Sequence, residues 1–228
     1  MKVISEGGEE IGWPGVEEFC REHTDLLKAD VILVSDTSMV GADIPSITTG
    51  LRGLSYWQVE VTGPNHDLHS GIFGGAVANP VNVLCKMIAA LTDADGRITL
   101  PGFYDDVDEV SREERDMLGA VPYDEEKDKA NVGVKTLFGE KGYTTLERTA
   151  IRPTFDVCGI WGGYTGEGAK TVLPSQAYAK LSCRLVPHQQ HHKIEQMMID
   201  HFHRMAPDTV QLKNEAHHGR DRHSCPND

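Results

Sequence analysis

The stretch "GLSYWQVEVTG" (53–63) alternates along its length, with Trp57, Val59 and Val61 on one side and Tyr56, Gln58, Glu60 and Thr62 on the other. Successive side chains of a strand point to opposite faces, so this pattern predicts a half-buried strand. A loop containing "NHDLHSGIFGG" follows it. Asn79-Pro80 then supplies a cap and a first-turn proline for a helix whose Val81, Leu84, Ile88 and Leu91 form one stripe. Two further strands are expected at 154–161 and 171–186, separated by "GGYTGEGAK". A helix follows over about 189–205, with Ile194, Met198, Phe202 and Met205 on one face, and "TVQLKN" (209–214) is a last short strand. Strand, helix, strand, strand, helix, strand is a split βαβ order with antiparallel pairing.

Upstream the pattern differs. Residues 14–28 read as a helix, with Pro14 at its first position and Val16, Phe19, His23, Leu26 and Leu27 at helical spacing. "DVILVSD" (30–36) is a short apolar run ending in polar residues, and reads as a buried strand. Strand and helix in that arrangement belong to an open α/β sheet, whose ligands sit beyond the carboxyl ends of its strands, where Asp36 falls. The expected fold class is therefore part of an α/β domain (1–48) joined to an α+β domain (49–215). An acidic, solvated helical insertion is expected at 102–150, carrying a capping box at Ser111 and Glu114, and an irregular polar tail at 216–228.

The net charge of −13 argues against binding to nucleic acid or to an anionic membrane, both of which call for a positive field. No apolar run reaches the ~18 residues that span a bilayer. The five cysteines are widely spaced with no CxxC pair, which argues against a disulfide framework and a cysteine zinc knuckle, and points to a reduced, cytoplasmic setting. Cys85 and Cys183 lie in apolar patterns and read as core thiols.

Several groups carry possible chemistry. In "SEGGEEIG" (5–12), Glu9 and Glu10 can act separately, one as a metal ligand and its neighbour as a general base, or form only a surface acidic loop. Asp36 offers a further oxygen ligand or a turn former. His66 and His69 sit in a loop rather than on a helix, where a histidine is a surface residue or a donor to an oxyanion. "GGYTGEGAKT" fails the phosphate-loop pattern because Ala169 separates Gly168 from Lys170, and an alternating strand follows it. Arg184, at the end of that strand, suits a bidentate carboxylate clamp or is simply exposed.

Five stretches occur in order: "SEGGEEIG", "LVSDTSMVGADIPSITTGLRG" (33–53), "DLHSGIFGGAVANP" (67–80), "RPTFDVCGIWGGYTGEGAKTVLPS" (152–175) and "KLSCRLVP" (180–187). Together they resemble the dinuclear zinc metallopeptidases of family twenty, nearest the carnosinase-like and cysteinylglycine-type dipeptidases. The resemblance implies a zinc-binding catalytic α/β domain joined to a ferredoxin-like lid, or dimerisation, domain. It also implies hydrolysis of the amide bond of small peptides by a hydrolase that uses two zinc ions, with manganese or cobalt as substitutes. Carried onto this chain, Glu9 resembles the general base, Glu10 and Asp36 resemble metal ligands, and His69 resembles the lid histidine that reaches into the partner subunit's site. Thr171 and Arg184 resemble substrate-holding groups, Arg184 on the C-terminal carboxylate.

The family's remaining ligands, histidines and a bridging aspartate, fall outside residues 1–228. The chain is therefore expected to be an internal fragment without a complete metal site of its own. Its expected partners are a small peptide and a second copy of itself. The alternative is a module that dimerises and hydrolyses nothing.

Overall fold

The computed structural model describes residues 1–8, 15–34, 36, 39, 41, 43–48, 50–221, 223 and 224. It divides into two compact units, Met1–Ile47 and Thr48–Asp228.

In the first unit, helix α1 (Gly15–Glu22) and the single turn α2 (Thr24–Leu27) occupy the span expected to be one helix. The break falls at His23, whose φ of −119° is not helical. Lys28 closes this segment by accepting a hydrogen bond from Lys2 at its backbone carbonyl and donating one to Asp25. The expected strand at 30–36 does not form among the described residues. Val31, Ile32, Leu33 and Val34 are between 72% and 89% exposed, with no strand alongside. An apolar run becomes a strand only when a neighbour takes its backbone hydrogen bonds, and none of the described residues does so.

The second unit follows the split βαβ order. Its elements are β1 (Gly50–Leu51), β2 (Gly53–Thr62), β3 (Leu68–His69), α3 (Ser70–Phe73), α4 (Pro80–Ala89), α5 (Arg112–Gly119), α6 (Glu125–Val132), α7 (Thr145–Ala150), β4 (Thr154–Gly162), β5 (Val172–Leu173), β6 (Gln176–Leu185), α8 (His191–Met205), β7 (Gln211–Arg220) and β8 (His223–Ser224). Strands β4, β6, β2 and β7 lie side by side in that order, every neighbouring pair antiparallel. Two-residue ladders join β1 to β8 and β3 to β5.

The alternation of β2 is realised in full: Ser55, Trp57, Val59 and Val61 are buried, with half-exposed residues between them. Their facing partners on β6, Ala177, Ala179, Leu181 and Cys183, are 0% exposed. Onto this face pack α4, through Leu84 and Met87, and α8, through Ile194, Met198 and Phe202. Asn79 caps α4 by accepting from the Val81 backbone N–H, as the Asn-Pro pair predicts. Burial pushes the Cys183 thiol far above its ordinary pKa. Cys85 departs from expectation: it lies on the outer side of α4 and is exposed, so only Cys183 is a core thiol.

The strand expected over 171–186 is two strands. Pro174 has no N–H to give a ladder and the Ser175 N–H turns to Asp67, so pairing stops after Leu173 and resumes at Gln176. At the other end, β7 is longer than expected. It pairs with β2 through Arg220, past a register shift between Tyr56 and Trp57, so the expected tail begins inside the sheet.

The acidic insertion contains three helices, and the first two, α5 and α6, bury nothing. Its base is different. Glu140, Glu147 and Arg152 are buried, and Arg152 grips Glu140 with two hydrogen bonds of 2.8 and 2.9 Å. Arg97 adds a third contact to Glu140 at 3.1 Å, and Arg115 pairs with Glu147 at 2.9 Å. The Arg152 guanidinium also lies over the rings of Tyr143 and Tyr104. Burial opposes its charge, but Glu140 outweighs that cost and raises its pKa. A second capping box, Thr144 with Glu147, starts α7.

Candidate functional site

Beyond the Thr62 end of β2 the chain doubles back through Gly63 and Pro64 and is tied to the segment that precedes β6. The Gly63 N–H donates to the Ser175 carbonyl at 2.8 Å, and the Ser70 N–H donates to the Thr171 carbonyl at 3.0 Å. Asp67 closes the clasp: its Oδ1 accepts from the Ser175 backbone N–H at 2.8 Å and from the Ser175 hydroxyl at 3.0 Å. Those two donors hold the Asp67 carboxyl below the usual aspartate range.

The clasp places His69 directly against Thr171. His69 Nε2 lies 3.0 Å from Thr171 Oγ1, and the Gly71 backbone N–H donates to His69 Nδ1, also at 3.0 Å. A nitrogen that accepts from an N–H carries no proton of its own, so a neutral His69 holds its proton on Nε2. Both side chains are exposed and open to a ligand. Gly71 has to be glycine for this contact, because a Cβ there would sit 2.7 Å from His69 Cε1.

Arg184 stands at the opposite end of the same sheet. It pairs across from Leu54 on β2 and Thr154 on β4, whereas the Thr62 end of β2 pairs with Gln176. Eight residues of strand separate those two rungs, which is ~26 Å at about 3.3 Å per residue. Arg184 is exposed, and Arg52 lies near it. Arg52 reaches the backbone carbonyls of Arg148 and Arg152. Burial and the neighbouring Arg184 charge lower the Arg52 pKa, and Asp156 partly offsets them.

Glu9 and Glu10 lie outside the described residues. Asp36 is exposed. No group of three or more metal-ligating side chains occurs among the described residues. Two carboxylates alone are also a poor match to zinc, which is held in tetrahedral sites by nitrogen and sulfur donors. The described residues therefore do not by themselves fit a zinc pair.

Of the six residues singled out in the sequence, the structure brings His69 and Thr171 together and sets Arg184 apart. Three supporting residues were not singled out, namely Asp67, Gly71 and Arg52. Asp67 and Gly71 flank His69 in "DLHSG", but nothing in their spacing reveals that Ser175 is the aspartate's partner.

The comparisons identify the family. Residues 49–210 match the model of the peptidase dimerisation domain. The Cys-Gly metallodipeptidase of Schizosaccharomyces pombe is 36% identical over 203 residues, covering 88% of this chain and 43% of that protein. The human Beta-Ala-His dipeptidase is 34% identical over 204 residues, covering 89% of this chain and 40% of its own length. Among solved structures, the dipeptidase Dug1p of Saccharomyces cerevisiae superposes with a TM-score of 0.83 at 29% identity, over 97% of this chain and 47% of that one. Human carnosine dipeptidase 1 gives 0.82 at 30% identity, over 97% and 48%. The chain thus spans less than half the length of these relatives. With its dimerisation-domain match, its ferredoxin-like sheet and its dipeptidase relatives, the chain belongs to family twenty of the metallopeptidases.

Proposed function

We propose that these residues are the lid, and part of the catalytic half, of a metal-dependent dipeptidase that works as a homodimer on small peptides. The observation that carries this reading is that His69 and Thr171 lie beyond the Thr62 end of β2, whereas Arg184 lies at the opposite end of that strand. A dipeptide extends roughly 7 Å at about 3.5 Å per residue, so one molecule cannot bridge ~26 Å of strand. A two-fold dimer resolves the mismatch, because one copy presents its His69 and Thr171 to the cleft that carries the other copy's Arg184.

In such a site each residue has a definite task. Arg184, beside Arg52, clamps the C-terminal carboxylate through paired N–H donors. As the amide C–N bond breaks, Glu9 delivers to the leaving amine the proton it took from the water in the preceding step, the attack that forms the new C–O bond. The carbonyl oxygen becomes anionic in that step, and His69 stabilises it through the Nε2 proton. Glu10 and Asp36 serve as oxygen ligands of a zinc pair whose remaining ligands lie elsewhere in the whole protein. Peptides of the cysteinylglycine and β-alanyl-histidine type are the first substrates to try, since those names belong to the relatives. A reducing, cytoplasmic setting suits the four described thiols, none of which is in a disulfide.

The second reading, a dimerisation module without catalysis, is favoured by one observation: β4 is an edge strand with Val157, Ile160 and Trp161 between 41% and 49% exposed. One preparation of the 228-residue chain tests both readings. Supplied with zinc or manganese, it is expected to sediment as a dimer and to leave dipeptides intact. A strict monomer contradicts the dimer in either reading, and robust hydrolysis contradicts the assignment of the remaining ligands to other residues.

A further inference from the structure

The ring of His69 is held at both nitrogens: its Nδ1 caps the first turn of α3 by accepting from Gly71, and its Nε2 meets Thr171. All the residues concerned, Asp67, His69, Gly71 and Thr171, are exposed and contribute nothing to the apolar core. Gly71 N–H meets Nδ1 and Thr171 Oγ1 meets Nε2, each at 3.0 Å, across a sequence separation of 102 for the second pair. A ladder of only two rungs, Leu68 with Leu173 and His69 with Val172, sets that register. Two rungs are too few to fix a register alone. The bonds from Ser175 to Asp67 close the ladder two residues before His69 and two after Leu173.

We infer that Asp67 and Gly71 are positioning residues for His69, fixing it as a neutral Nε2–H donor before any substrate arrives. The inference rests on the reading of His69 as the group that meets the oxyanion. Gly71 selects the tautomer, because its N–H occupies Nδ1 and excludes a proton there. Asp67 holds the Thr171 segment in place, so the Nε2 proton rests on a neutral hydroxyl oxygen. A hydroxyl is a weaker acceptor than an oxyanion. The proton therefore transfers its hydrogen bond from Thr171 to the substrate oxygen as negative charge develops, without any change of tautomer. With its oxygen accepting from His69, the Thr171 hydroxyl keeps its own proton free to donate to the substrate.

The test is nitrogen-15 NMR of the histidine-labelled chain, with the His69 signals assigned by their loss in His69→Gln. The wild-type spectrum is expected to show an unprotonated, pyridine-type Nδ1 and a protonated, pyrrole-type Nε2. Asp67→Ala and Gly71→Ala are each expected to give averaged shifts from mixed tautomers, and Asp67→Asn, which keeps an acceptor for Ser175, is expected to restore the wild-type pattern. A proton on Nδ1 in the wild type, or unchanged shifts in both alanine variants, overturns the inference. In the whole enzyme Gly71→Ala is expected to lower kcat by about 10²-fold with KM little changed, as a displaced catalytic group does. Full activity of His69→Ala would instead sink the functional reading while leaving the tautomer result standing.

Discussion

His69 and Thr171 are 102 residues apart in sequence and 3.0 Å apart in space, and they share this contact at the end of the sheet that Arg184 does not occupy. His69, Thr171 and Arg184 therefore belong to one compact unit, yet the two ends of β2 beside which they lie are too far apart for one small peptide.

The exposed edge of β4 is the surface expected to bring two copies together. Among the described residues no strand pairs with its outer side, and Ile160 and Val157 present apolar area along it. Ile160→Lys together with Val157→Lys should convert the sedimenting species from dimer to monomer while leaving the far-ultraviolet circular dichroism unchanged. A dimer that survives both charges would place the interface elsewhere.

Glu140 and Arg152 hold the base of the acidic insertion. Glu140→Ala leaves the Arg152 guanidinium buried without its bidentate partner, a loss of roughly 3–5 kcal/mol. Urea denaturation should show a lower midpoint with the slope retained. Substitutions on the solvated helices, such as Glu113→Ala, should fall within about 0.5 kcal/mol of the wild type.

The clasp carries its own pH dependence. Asp67 has a folded-state pKa below its unfolded value, so the clasp's contribution is complete above the unfolded pKa and disappears as pH falls through the folded one. Carboxyl chemical shifts followed on acidification should place Asp67 below the ordinary aspartate range, and Ser175→Ala should move it back up.

Thiol reactivity separates the core from the surface. Alkylation at mildly basic pH should modify Cys85 and Cys158, which are exposed, and spare Cys183, whose burial raises its thiol pKa. Mass spectrometry of the labelled chain reads this directly.

The central sheet was legible because its signals are local. The period of two over 53–63, the Asn79-Pro80 helix start and the stripe of Ile194, Met198 and Phe202 each need only neighbouring residues, and each appears in the structure as expected. Signals that depend on distant partners were not legible. "DVILVSD" has the composition of a strand, yet its backbone finds no neighbour among the described residues. The break at Pro174 follows from an aspartate 108 positions from Ser175, and the insertion's buried base depends on Arg152 meeting Glu140 across a loop. The site was read mainly by resemblance: spacing alone left His69 and Arg184 with ordinary alternatives, and Glu9 and Glu10 lie outside the described residues.

The two-copy site can be tested directly by mixing defects. In the whole enzyme, the proposal expects His69→Ala and Arg184→Ala each to disable both sites of their own homodimer. Mixed and allowed to re-form dimers at random, the two variants should recover about a quarter of wild-type activity, because each mixed dimer collects both defects in one site and leaves the other intact. Recovery at that level is what the account predicts. Mixtures that form dimers yet stay as inactive as either parent would contradict it, and would return His69 and Arg184 to a single copy.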